Sequence, residues 1–156
     1  NAHRFLKVQI KKFIKMIGKN MEYEFTVDGK IVGKERPRVN MYTGRIYTPE
    51  RTKDYELLIQ QSFRIKYPNF EMIKNRVEIE IVACIKIPKG TSKANTQKML
   101  DGEISPTKKP DIDNIAKSIL DAMNNFIIYD DNQVVKISVE KKYDMVDRAY
   151  IKIHEI

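Results

Sequence analysis

The spacing of apolar side chains divides the chain into short alternating runs and two helical ones. From Glu22 to Val27 polar and apolar residues alternate, which predicts a half-buried strand ending in the turn Asp28-Gly29-Lys30. Arg76 to Ile87 alternates through Val77, Ile79 and Ile81 and stays apolar to its end, as a central strand does. Two closing strands are expected, 133–143 and 148–153, joined by a Lys-Tyr-Asp-Met-Val-Asp turn. Thr48-Pro49-Glu50 opens a helix reaching Lys66, with Tyr55, Leu58, Ile59 and Phe63 on its buried side. A second helix follows Pro110, where Ile112, Ile115, Ala116, Ile119, Leu120 and Met123 keep the i, i+3, i+4, i+7 rhythm. Thr43-Gly44 reads as the turn of a basic hairpin or long loop, and the polar, lysine-rich stretch from Pro88 to Pro110 as a loop leading into the second helix. The expected fold is α+β: a single mixed sheet of about four strands with two main helices.

Residues 1–20 stand apart. Phe5, Leu6, Phe13, Ile14 and Ile17 share one side of a helical pattern, and Lys7, Lys11 and Lys15 another. This stretch carries six basic residues and no acid, and is expected to be an extension to one domain spanning 21–156. The rest of the chain is nearly balanced, yet its charge is segregated. Lys30 to Lys53 holds seven basic residues against two acids, whereas acids concentrate between 108 and 133. A basic surface beside an acidic site suits a protein that attracts phosphates while holding a cation.

Composition removes several chemistries. With two histidines, His3 and His154, and one cysteine, Cys84, zinc sites and histidine-assisted nucleophiles are hard to assemble. Cys84 lies in an apolar strand and reads as a buried structural thiol. No run is long and apolar enough to span a membrane, no signal-peptide layout is recognisable, and a cytoplasmic protein is expected. A metal held by this chain would be held by carboxylates, which favours magnesium or manganese.

The carboxylates in question are Asp111, Asp113, Asp130 and Asp131, with Lys117 one helical turn beyond Asp113. Each has an ordinary explanation when taken singly. Asp111 could cap the helix, Asp113 could answer its dipole or pair with Lys117, and Asp130-Asp131 could be turn residues. Together, on a helix and on the strand that follows it, they are the oxygen ligands a hard divalent cation needs on rigid supports. Their mutual repulsion would be costly without one. A haloacid-dehalogenase-type phosphotransferase would instead end an apolar strand with its D-x-D, and an EF-hand would need a glycine and further ligands at fixed positions.

At these residues the chain resembles the RusA family of Holliday-junction resolvases, common in phages and prophages. The resemblance rests on Pro110-Asp111-Ile112-Asp113-Asn114, Lys117, Asp121-Ala122-Met123, Asp130-Asp131-Asn132-Gln133-Val134 and Lys141, supported upstream by the sequences GKERPR and YTP. It covers roughly residues 22–155. It implies a RusA-like fold and magnesium-dependent hydrolysis of phosphodiester bonds at four-way DNA junctions by a homodimer, in recombination and repair. Asp111, Asp113 and Asp131 would then hold the metal, with Asp130 as a further candidate, Lys117 would serve the reaction, and Asp121 would matter less. Lys34, Arg36, Arg38, Arg45, Arg51, Lys108 and Lys109 are expected to bind DNA, the arginines on backbone phosphates. A non-catalytic branched-DNA-binding protein and a flap or fork nuclease of the same fold remain alternatives. Because the first strand starts at Glu22, deleting residues 1–20 is expected to leave a folded, soluble domain; insolubility of the truncated chain in a gel-filtration assay would refute that boundary.

Overall fold

The computed structural model describes residues 21–156. The amphipathic helix expected within 1–20, and the extension it would form, lie outside the described residues. Within them the alternation of the sequence becomes a four-stranded sheet. Strand β1 (Glu22–Asp28) buries Tyr23, Phe25 and Val27 while the residues between them face outward. A two-residue pair, β2 (Arg38–Val39) and β3 (Ile46–Tyr47), forms the basic hairpin, with Arg38 opposite Tyr47. Helix α1 (Glu50–Lys66) leads to β4 (Val77–Lys86), then α2 (Lys93–Leu100) and α3 (Ile112–Met123). A 3-10 turn, Asp131–Gln133, precedes β5 (Val134–Asp144), and β6 (Arg148–Glu155) closes the chain. The strand order is β1-β6-β4-β5, with β4 and β5 parallel and the other pairs antiparallel.

The core forms where α1 and α3 cover the sheet. Helix α1 contributes Thr52, Tyr55, Ile59 and Phe63, and α3 contributes Ile115, Ser118, Ile119, Ala122 and Met123. Phe63 is fully buried, and its ring lies 4.6 Å from Phe70, 5.0 Å from Tyr67 and 5.2 Å from Phe25 between centroids. The Phe25 and Phe70 contacts are edge-on, and such pairs add to the burial of apolar area. Cys84 is buried, as a structural thiol would be.

Three expectations need correction. Leu58 is 37% exposed, because the buried stripe of α1 runs through Tyr55 and Ile59 and leaves Leu58 on its flank. On α3 the buried face is turned away from Ile112, which is exposed, towards Ser118 and Ala122. Small side chains there let the helix sit close to its neighbours, a packing reason that hydrophobic spacing does not carry. The segment read as a loop before Pro110 contains α2, whose N-cap Ser92 accepts a hydrogen bond from the Asn95 amide at 3.2 Å. None of its residues is buried, so it had no apolar stripe by which to be recognised.

Phe63→Ala should cost about 3–5 kcal/mol of stability. The urea midpoint would move accordingly, and a change below about 1 kcal/mol would show that the aromatic cluster is not the centre of the core.

Candidate nuclease site

The acidic helix is positioned by the segment that leaves β1. Ile31 and Val32 are buried, and Gly33 passes so close to α3 that an added Cβ would stand 2.9 Å from Cβ of Pro110 and 3.1 Å from Cβ of Asn114. The next amide, Lys34 N–H, donates to the Asn114 carbonyl at 2.8 Å. The Lys34 ammonium then bridges two helices, donating to Glu56 on α1 at 2.8 Å and pairing with Asp121 on α3 at 2.6 Å. Burial pulls its pKa down, but the hydrogen bonds and charges of Asp121 and Glu56 outweigh this and hold it above the ordinary lysine value. Lys34, expected on DNA, is thus ion-paired within the protein while also lining the cleft beside α3.

Between this segment and the start of α3 opens a cleft of about 1030 Å³. Asp111, Asp113 and Lys117 line it, together with Arg36, Arg38, Arg51 and Lys109. The structure thus joins the first half of the acidic motif to five of the expected DNA-binding residues, Lys34 among them. Arg45 is on the hairpin, outside this lining. Lys108 is also outside it, and its carbonyl accepts a hydrogen bond from Lys141 Nζ at 2.6 Å, tying the approach to α3 onto β5.

The acids differ in how far ordinary structural roles account for them. Asp111 occupies the N-cap position of α3 with extended backbone angles, yet its side chain makes no capping hydrogen bond. Among the described residues no ion pair joins Asp113 to Lys117, and both side chains are exposed. These carboxylates and the ammonium are uncommitted. Asp130, in contrast, does cap: it accepts from the Asn132 amide at 2.9 Å, while Gln133 accepts from the Asp130 amide at 2.9 Å in a reciprocal capping box. The Gln133 side-chain amide also donates to the carbonyls of Ile73 and Asn75, at 2.9 and 2.8 Å.

Asp131 is the perturbed acid. A side-chain hydrogen bond with Asp130 raises its pKa most, followed by desolvation and by repulsion from Asp130 and Asp121. Asp121, ranked behind the other acids from the sequence, pairs with Lys34 and adds to the repulsion on Asp131. Asp113, Lys117 and Asp121 recur every four residues, so they share one face of α3, with Asp113 and Asp121 about 12 Å apart along the axis. That spacing was the available signal. Glu56 and Gly33 gave none.

The acids therefore form two groups, Asp111 with Asp113 in the cleft and Asp131 with Asp130 beside Asp121. Among the described residues no three acids, histidines or cysteines converge into a ready-made metal cluster. The donor set nevertheless fits a hard cation in its chemistry, being oxygen alone, with carboxylates left unpaired and mutually repelling.

Comparison with known proteins decides the family. The sequence model of endodeoxyribonuclease RusA matches residues 28–154, which include every acid just described. The chain belongs to the RusA family. It is also 31% identical over 140 residues to uncharacterized protein YqaN of Bacillus subtilis (strain 168), spanning 85% of this chain and 96% of that one. RusA proteins are endonucleases that act on DNA, and the mixed four-stranded sheet with its helices is consistent with a RusA-like domain. No helix among the described residues is long and apolar enough to cross a membrane.

A carboxyl whose pKa is higher in the folded than in the unfolded chain binds its proton more tightly when folded. Its ionisation therefore removes stability as pH rises through those values. Accordingly Asp131→Asn, in chelator at neutral pH, should melt slightly above the parent, and the gain should disappear below the unfolded carboxyl's value of 3.8. A lower melting temperature at neutral pH would show that Asp131 is not under like-charge strain.

Proposed function

We propose that this RusA-family protein is a magnesium-dependent endonuclease that resolves four-way DNA junctions as a homodimer. The observation that carries the reading is Asp111, uncapped and unpaired among the described residues, lying with Asp113 and Lys117 in a cleft walled by arginines. Asp111, Asp113 and Asp131 would hold Mg²⁺, with manganese as a substitute and the adjacent Asp130 as a further candidate ligand. The bound ion would lower the pKa of a water nucleophile and neutralise charge on the phosphate. The repulsion of Asp131 by Asp130 and Asp121 is a penalty such an ion would relieve.

The protein's own groups account for the rest of the chemistry. Arg36, Arg38, Arg51 and Lys109 take backbone phosphates along the cleft, which positions the strand without reading its sequence. Lys117 lies one turn from both Asp113 and Asp121, and its ammonium stabilises negative charge developing on the phosphoryl oxygens. The pairing of Lys34 with Glu56 and Asp121 keeps the floor of the cleft fixed while phosphate charge arrives. A four-way junction offers two equivalent strands, and a two-fold dimer offers two equivalent sites to meet them.

Labelled four-way junction, flap, fork and linear duplex should be incubated with the protein in magnesium and in chelator. Junction cutting in magnesium alone is expected. Asp111→Asn, Asp113→Asn and Asp131→Asn should each lower cleavage by roughly a hundredfold or more, since loss of a supporting group alone costs 10–100-fold. Binding in calcium should persist or tighten as negative charge facing the phosphates is removed. Preference for flaps or forks would redirect the substrate, and three variants that cut like the parent would leave a branched-DNA-binding protein.

A further inference from the structure

The β2–β3 hairpin combines strong positive charge with apolar side chains that face water. Tyr42 is 99% exposed, Met41 90% and Ile46 73%. Arg36, Arg38 and Arg45 lie on the same short excursion of chain. Arg38 donates to Glu35 at 3.0 Å, and among the described residues no ion pair involves Arg36 or Arg45. Single exposed apolar residues are normal on protein surfaces, but two adjacent large ones at a tip, beside several arginines, are not a solvation pattern.

The tip is also held in place. Asn40 Oδ1 accepts from the Tyr42 and Thr43 amides at 2.9 and 3.1 Å. The Gly44 amide donates to the Asn40 carbonyl, and the Asn40 amide to the Arg45 carbonyl, each at 2.8 Å. Gly44 takes a φ of 65°, which a residue with a Cβ adopts only with strain. Met41 and Tyr42 are thus presented on a closed turn, so that contact made through them loses little chain entropy.

We propose that Met41 and Tyr42 stack on bases exposed where a DNA duplex is interrupted, while Arg36, Arg38 and Arg45 hold the flanking phosphates. The inference rests on branched DNA being the substrate and assigns recognition of the branch to this hairpin. A fully paired duplex hides the faces of its bases within the stack, whereas a branch point leaves some of them without a neighbour. An aromatic ring on a basic support is the usual way to engage such faces without regard to sequence. The arginines alone would bind linear and branched DNA alike, so the tip is the part that separates them.

The chain contains no tryptophan, which makes a direct test simple. The variant Tyr42→Trp places one fluorophore at the tip of the full chain. In calcium, its emission should be quenched by a four-way junction or a gapped duplex and little affected by a fully paired duplex of equal length. Tyr42→Ala should lower the preference for junction over duplex about tenfold, and Tyr42→Phe should retain it. Arg36→Ala with Arg38→Ala should instead weaken both complexes and shallow their salt dependence. Equal quenching by paired and interrupted DNA would overturn the proposal, as would emission that ignores DNA while junction binding persists. A blue shift that grows with protein concentration, without DNA, would assign the tip to a second copy of the chain and overturn it too. Cleavage is measured separately in magnesium. Selective quenching without cleavage leaves the hairpin's role standing and removes the nuclease reading, whereas cleavage without quenching does the reverse. A parent chain that binds no junction refutes both.

Discussion

The arrangement of the site depends on a contact between backbone and helix that leaves no room for a side chain. Gly33 runs against Pro110 and Asn114 at a distance where even a methyl group would collide. Because the approach is so close, the following amide reaches the Asn114 carbonyl and the following ammonium reaches Asp121 and Glu56. One glycine thereby fixes the separation between the arginine-bearing segment and the acidic helix. The cleft exists because these two walls are held at that spacing and no nearer.

The helix makes its own contribution through division of labour. Its buried face, Ile115, Ser118, Ile119, Ala122 and Met123, is fully committed to the core. Its outward face carries Asp113, Lys117 and Asp121. Burial of the first set determines where the second points, so Asp113 and Lys117, which gain nothing from packing, are displayed in the cleft by groups that do. Fold stability and site geometry are, on this helix, the same set of contacts viewed from two sides.

Much of this was legible in the chain. Alternation located β1 and β4, the apolar runs after Asp131 were read as the two closing strands, and the rhythm after Pro110 located the acidic helix. Thr43-Gly44 marked the hairpin because glycine is needed where φ is positive. What was missed shares a physical cause. Helix α2 is stabilised by a serine cap and its own backbone, neither of which produces a hydrophobic period. The partners of Lys34 come from two helices distant in sequence, so nothing near residue 34 distinguished an internal ion bridge from a phosphate-binding lysine. Likewise the acids could be picked out as a set, while their division into two groups along α3 depends on where the chain returns after Met123. Residue types determine which groups can carry the chemistry, and tertiary closure determines which of them meet.

Gln133 gives the second group of acids a particular mechanical character. Its side chain accepts from the Asp130 amide and donates to the carbonyls of Ile73 and Asn75, just ahead of β4. The turn bearing Asp130 and Asp131 is therefore clamped to the lead-in of one strand and runs directly into its parallel neighbour. Carboxylates on a free loop would wander by more than the few tenths of an ångström that separate a good ligand from a poor one. These two instead inherit the stiffness of the sheet, so in the proposed site any adjustment on metal binding would fall to the cleft side, at the start of α3 and the segment laid across it.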